Sequence, residues 1–236
     1  MAGKARHACF LGCNKHNALY EVCLIAAQCR WLLRSTRAKI FCAGSIGRLV
    51  MVIAHYNSEV FMTQFPIVKR FVYHVVYYRA LLKQYSERQL QNEFWTLTID
   101  AHLLQAVVHW CMIFGSDGTN PTHWKHLSTN QSSQLEQTFR DGLFRETYIN
   151  QEEWNRYWKE MKHFRDNYAA HRTLNNLCTT PHLDMALKVA YFYDDWIREV
   201  ISPHTFDEPP LKEFASTLLE STSALAGRLF DATKVQ

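Results

Sequence analysis

With 236 residues, the chain has room for one large domain or two small ones. Hydrophobic residues make up 47% and charged residues 20%, enough apolar material for a buried core, which excludes a disordered chain. Eight glycines and six prolines are too few for an all-β sandwich with many tight turns, and the same figures exclude collagen, low-complexity and coiled-coil classes. The formal net charge of +4 is unevenly spread: residues 1–50 hold eight Lys/Arg against Glu21 alone, a balance of +7, whereas residues 51–236 hold 18 basic and 21 acidic side chains, a balance of −3.

Taken from the start, residues 1–50 read as a basic extension that holds Cys9, Cys13, Cys23, Cys29 and Cys42, leaving only Cys111 and Cys178 for the rest. An odd total of seven without a secretory leader does not form a disulfide framework, so the expectation is a reducing, cytoplasmic setting. His7 and His16 beside the early cysteines are zinc-ligand types, but tight Cys pairs are missing and no metal is expected. Being basic and poor in acid, the segment also suits a transit peptide, or it precedes a true start at Met51 or Met62. The apolar runs Leu19–Leu33 and Ile40–Ala54 are interrupted by charge and shorter than the roughly 20 residues that cross a bilayer, so no membrane partner is expected.

Residues 51–236 read as one helical domain. From Gln64 to Gln84 the positions Phe65, Val68, Val72, Val75 and Leu82 recur at helical spacing, although Phe71–Tyr78 alone would also suit a buried strand. Leu90, Phe94, Leu97, Ala101, Leu104, Val108 and Cys111 then alternate by four and three, the seam of a long helix that Gly115 stops. Residues 116–121 form a dense turn signal, and a short helix follows over Ser133–Tyr148 with Leu135, Phe139 and Leu143 inward. Asn150 and Glu153 make a capping box for a helix carrying Trp154, Tyr157, Met161, Phe164 and Tyr168. Pro181 opens the next helix, with Leu183, Leu187, Ala190, Ile197 and Ile201 as its stripe, and Ser202-Pro203 ends it. Leu211, Phe214, Leu218, Leu225 and Leu229 mark a last helix. The fold class is all-α, a bundle of four to six main helices in up-down packing.

One string stands out, Phe164-Arg165-Asp166-Asn167-Tyr168-Ala169-Ala170-His171-Arg172. Arginine, a polar residue, and histidine six positions after the arginine resemble the signature of the HEPN superfamily, and the longer string is similar to its AbiU-type branch. The stretch Trp110–Gly118 with Asn120 and His123-Trp124-Lys125 is similar to the loop after that branch's first long helices. The resemblance covers roughly residues 65 to 200. It implies a HEPN-like bundle acting as a metal-independent endoribonuclease in phage defence or as a toxin, working as a homodimer without cofactor, with RNA as substrate and an antitoxin as companion. Arg165 and His171 are then the catalytic pair, with Asp166 and Asn167 in support.

The chemistry of these side chains agrees with that expectation. Histidine exchanges a proton near neutral pH, and arginine stays cationic and grips two phosphate oxygens with its fork. At 3.6 residues per turn, positions 165 and 171 point about 120° apart on a continuous α-helix, so convergence on one phosphate calls for a second copy. The plain alternative is a histidine at a helix C-terminus and an arginine paired with Glu160, Asp166 or Asp194, in a non-catalytic helical module that binds a protein or nucleotide. The balance of −3 favours that alternative, while Lys159, Lys162, Arg165 and Arg172 offer a local basic cluster.

Other candidates are weaker. His102 and His109, seven apart on one helix face, suit buried or partner-facing positions better than a metal site. Asp194 and Asp195 diverge by about 100° and do not pair. Trp124 beside Lys125 and His126 is a loop anchor before it is a base-stacking platform. Neither a phosphate-binding glycine loop nor a nucleophile elbow is present.

Overall fold

Asparagine opens three of the helices. Asn57 Oδ1 accepts from the Val60 N–H at 3.2 Å and begins α1, Ser58–Glu87; Asn92 Oδ1 accepts from the Trp95 N–H at 3.3 Å and begins α2, Glu93–Phe114. The computed structural model describes residues 56–89, 91–128, 132–170, 179–201 and 207–232. Residues 1–50, with the basic extension and its cysteine-histidine candidates, lie outside the described residues.

A short 3₁₀ turn, Trp124–Leu127, leads to α3, Ser132–Thr147, and α4, Gln151–Phe164, which runs into a π-helical turn, Arg165–Ala170. Two longer helices complete the chain, α5 over Leu183–Ile201 and α6 over Leu211–Ala232. All regular structure among the described residues is helical, and the domain is an all-α bundle. Pro181 lies two residues ahead of α5 rather than in its first turn.

Helix α1 packs along both α2 and α6, while α3 packs against α5. In α1 the run 71–78 is helical throughout, with Phe71, Val72, Val75 and Val76 buried, so the strand alternative is not what forms. In α3, Leu135, Phe139 and Leu143 point inward as their spacing requires, and Phe139 meets Phe192 and Trp196 of α5 with ring centroids 5.2 and 5.1 Å apart.

Two predicted stripes are out of phase. On α2 the core-facing set is Trp95, Ile99, Leu103, Ala106, Val107, Trp110, Ile113 and Phe114, with Cys111 common to both phases, whereas Phe94 and Leu97 are 66% and 61% exposed. Apolar residues occupy both faces of this helix, so spacing alone does not fix its rotation. The two tryptophans bury the most area and decide it. The same contact shifts the end of α6, where Phe230 stacks on Trp95 at 4.2 Å and Ala226 is buried, turning Leu225 and Leu229 outward. Among the described residues α2 is also the one helix long and apolar enough to cross a membrane, and half of that stretch is buried in the bundle.

Candidate functional site

Helix α4 is amphipathic, and its ends are well determined. The Asn150 side chain accepts from the Glu153 N–H and the Glu153 carboxylate accepts from the Asn150 N–H, both at 2.9 Å, which is the predicted capping box. Met161 and Phe164 are fully buried, and Trp154, Tyr157 and Tyr168 pack against the core from its edge. After Phe164 the backbone widens into the π turn, a departure from α geometry that recurs at functional positions. The continuous α-helix assumed from the sequence therefore stops at Arg165, and the 120° offset no longer applies.

Arg165 and Asp166 lie together in this turn, the pairing that the non-catalytic alternative expected. The guanidinium donates through Nε at 2.7 Å and approaches through Nη2 at 2.6 Å, both toward Asp166 Oδ1, with side chains 28% and 48% exposed. The Nε–Nη2 edge of the fork is thus taken by Asp166, leaving the Nη1 end for a ligand. Asn167 is directed elsewhere: its Nδ2 donates to the His163 carbonyl at 2.9 Å and contacts His163 Nδ1 at 3.0 Å. His171 and Arg172 lie outside the described residues.

One turn back, Lys162 Nζ sits 4.2 Å above the Trp158 ring, continuing the cationic strip from Arg165. Beneath it the Cys111 thiol is buried within 3.9 Å of the Met161 carbonyl oxygen. Burial pushes this thiol up to about 12, against the opposing pull of Arg165, so Cys111 is a packing residue and not a nucleophile.

The loop after α2 is tied to this strip. Trp158 Nε1 donates to the carbonyls of Phe114 and Gly115, at 2.7 and 3.2 Å. A Cβ on Gly115 would collide with the Cys111 carbonyl, so glycine is required at this stop. Asn120 Nδ2 and Thr122 Oγ1 both donate to the Met112 carbonyl and hold the loop against the end of α2. Trp124 is a loop anchor, as its plainer reading had it: it is buried and stacks on Phe139 at 3.9 Å. His123 is buried too, and burial lowers its ring to about 4, so it is neutral at pH 7. Its carbonyl accepts from Gln64 Nε2 at 2.8 Å, while Gln64 Oε1 accepts from the Tyr193 hydroxyl at 2.7 Å. Between this loop, α3 and α4 lies a cavity of about 270 Å³.

Sequence reasoning placed His102 and His109 as buried or partner-facing but missed the residue they face, His74. His74 of α1 joins His102, with Nδ1 atoms 2.9 Å apart, and stacks on His109 at 5.2 Å. Burial, then His109, His102 and Arg70, lowers His74 to about 4. The residues sit on two helices, so no spacing in the sequence reveals the cluster. Among the described residues no group of three or more His, Cys, Asp or Glu is placed to hold a metal ion. Asp194 and Asp195 do diverge, Asp194 buried against Arg198 and the Leu211 N–H, Asp195 facing out.

No family model, curated protein or solved structure matches this chain.

Proposed function

We propose that the domain is a metal-independent endoribonuclease of the HEPN type, serving phage defence or a toxin role. The reading is supported most by a partly exposed Arg165 whose inner edge is fixed by Asp166 on a π turn, six residues before a histidine. In this reading the outer edge of the guanidinium holds the scissile phosphate. His171 takes the proton from the ribose 2′-hydroxyl as its oxygen attacks phosphorus, and a second histidine, from another copy of the chain, gives a proton to the departing 5′-oxygen. The products are a 2′,3′-cyclic phosphate and a 5′-hydroxyl. Lys162 adds charge along the same strip, and Trp158 offers a stacking face. The test is total RNA incubated in EDTA with wild type and with His171→Ala: cutting by the first and none by the second is expected, and equal cutting removes the mechanism. A monomer in gel filtration with light scattering removes the shared cleft.

A second reading, a non-catalytic interaction module, draws on the exposed Phe94 and Leu97, an apolar face on α2. Toxicity on expression that Arg165→Ala relieves favours the enzyme, and indifference favours the module.

A further inference from the structure

The cavity between the loop after α2, α3 and α4 has a lining of which the ribonuclease reading uses only Trp158. Trp154 and Trp158, four residues apart on one face of α4, and Trp124 opposite supply aromatic walls. At about 270 Å³ it falls below the roughly 300–1,000 Å³ of sites for drug-sized ligands, which suits one flat ring system and excludes a helix or a folded peptide.

The charged groups in and beside its lining come in matched signs. Lys125 Nζ lies 2.8 Å from Asp117 Oδ2 and 3.4 Å from Glu136 Oε2, and Arg140 Nη2 lies 3.6 Å from the same Glu136 oxygen. Glu136 stands outside the lining but pairs with both of its cations, so Lys125 and Arg140 are offset by Asp117 and Glu136; that makes a poor phosphate site, since phosphate binding draws on uncompensated positive charge. They suit a neutral ligand that carries donors on one side and acceptors on the other. The Lys125 ammonium holds the Asp117 carboxyl below its usual range, so an anionic acceptor is present at neutral pH. The neutral, buried His123 adds no charge to the wall.

Guanine matches that arrangement: its Watson–Crick edge presents two adjacent N–H donors to a carboxylate, and its O6 and N7 accept from arginine or lysine. Adenine and cytosine each offer a carboxylate only an amino group. We propose that this cavity binds a guanine base, stacked on Trp154 and Trp158, with Asp117 accepting from N1–H and the 2-amino group and Arg140 or Lys125 donating to O6 and N7. The Trp158–Lys162–Arg165 strip connects the cavity to the proposed cleavage site, so the bound base would be a guanine of the RNA next to the cut. That placement rests on the ribonuclease reading; the binding itself does not.

The test is calorimetric titration of the full chain with GMP, AMP, CMP, UMP and inorganic phosphate. GMP should bind at least about tenfold more tightly than the other nucleotides, with no heat from phosphate. Asp117→Asn and Arg140→Gln alter exposed or half-exposed groups that the fold does not need, and each should weaken GMP by about 5- to 150-fold at unchanged Tm. Equal binding of all nucleotides, phosphate binding as tightly as GMP, no GMP binding at millimolar concentration, or an Asp117→Asn variant that still prefers GMP overturns the proposal. The two readings separate cleanly. GMP binding by a chain that leaves RNA intact keeps the base site and removes the nuclease, whereas RNA cleavage without GMP binding removes the base site alone.

Discussion

Gln64 ties the loop after α2 to α1 and α5. It is wholly buried in α1, donates to the His123 carbonyl and accepts from the Tyr193 hydroxyl of α5, itself wholly buried. Gln64→Leu keeps the volume and removes both partners at once. A buried polar group left unpaired costs about 1–3 kcal/mol, and two are orphaned here, while the new leucine recovers part of the loss by being apolar. The net expectation is about 3 kcal/mol, which for a domain of this size lowers Tm by about 6–12 °C. Tyr193→Phe alone orphans only the glutamine oxygen and should cost about 1–2 kcal/mol. In the double variant the hydroxyl is gone together with its acceptor and only the His123 carbonyl is orphaned, so the two losses should sum to more than the double variant shows, by about 2–3 kcal/mol. Urea unfolding followed by circular dichroism gives all three values. A Gln64→Leu variant within 0.5 kcal/mol of wild type, or strict additivity in the double variant, would refute the network's role in holding the loop.

Two further stability predictions follow from the geometry. His123 takes up a proton below about 4 in the folded chain but at about 6.5 in the unfolded one, so the unfolded state binds more protons between those values. Its contribution is complete above pH 6.5 and fades as the pH falls toward 4, by about 1.4 kcal/mol per pH unit and about 3 kcal/mol in all; His74, only partly buried, adds a smaller loss in the same direction. Urea midpoints at pH 7, 5.5 and 4.5 should decline, and His123→Gln should flatten the decline; a slope unchanged in that variant contradicts the assignment. Asn150→Ala removes the capping box of α4 and should cost about 1 kcal/mol in the same assay, with no loss counting against it.

Where one physical signal dominated, the sequence was readable. The capping box at Asn150 and Glu153 depends only on neighbours in the chain, and α3 and α5 alternate apolar with polar positions, so their inward residues follow from spacing. Helix α2 resisted because both of its faces are apolar, and its rotation is set by Trp95 meeting Phe230, a contact between residues 135 positions apart. The site was legible in part. Arg165 and Asp166 are neighbours and do pair, yet nothing in their residue types announces the π turn, which depends on how the end of α4 packs against α2. Gln64 and His74 gave no signal, because a polar residue on a helix is assigned to solvent until the partner helix that buries it is known.

The proposed ribonuclease activity requires that the outer edge of Arg165 hold a phosphate. Cleavage rates on one defined RNA in EDTA, for wild type, Arg165→Lys and Arg165→Ala at matched Tm, test that directly. Losing a transition-state donor costs about 10²–10³ in rate, so the alanine variant should fall by at least about a hundredfold and the lysine variant should lie between. An alanine variant that cuts as fast as wild type contradicts the claim.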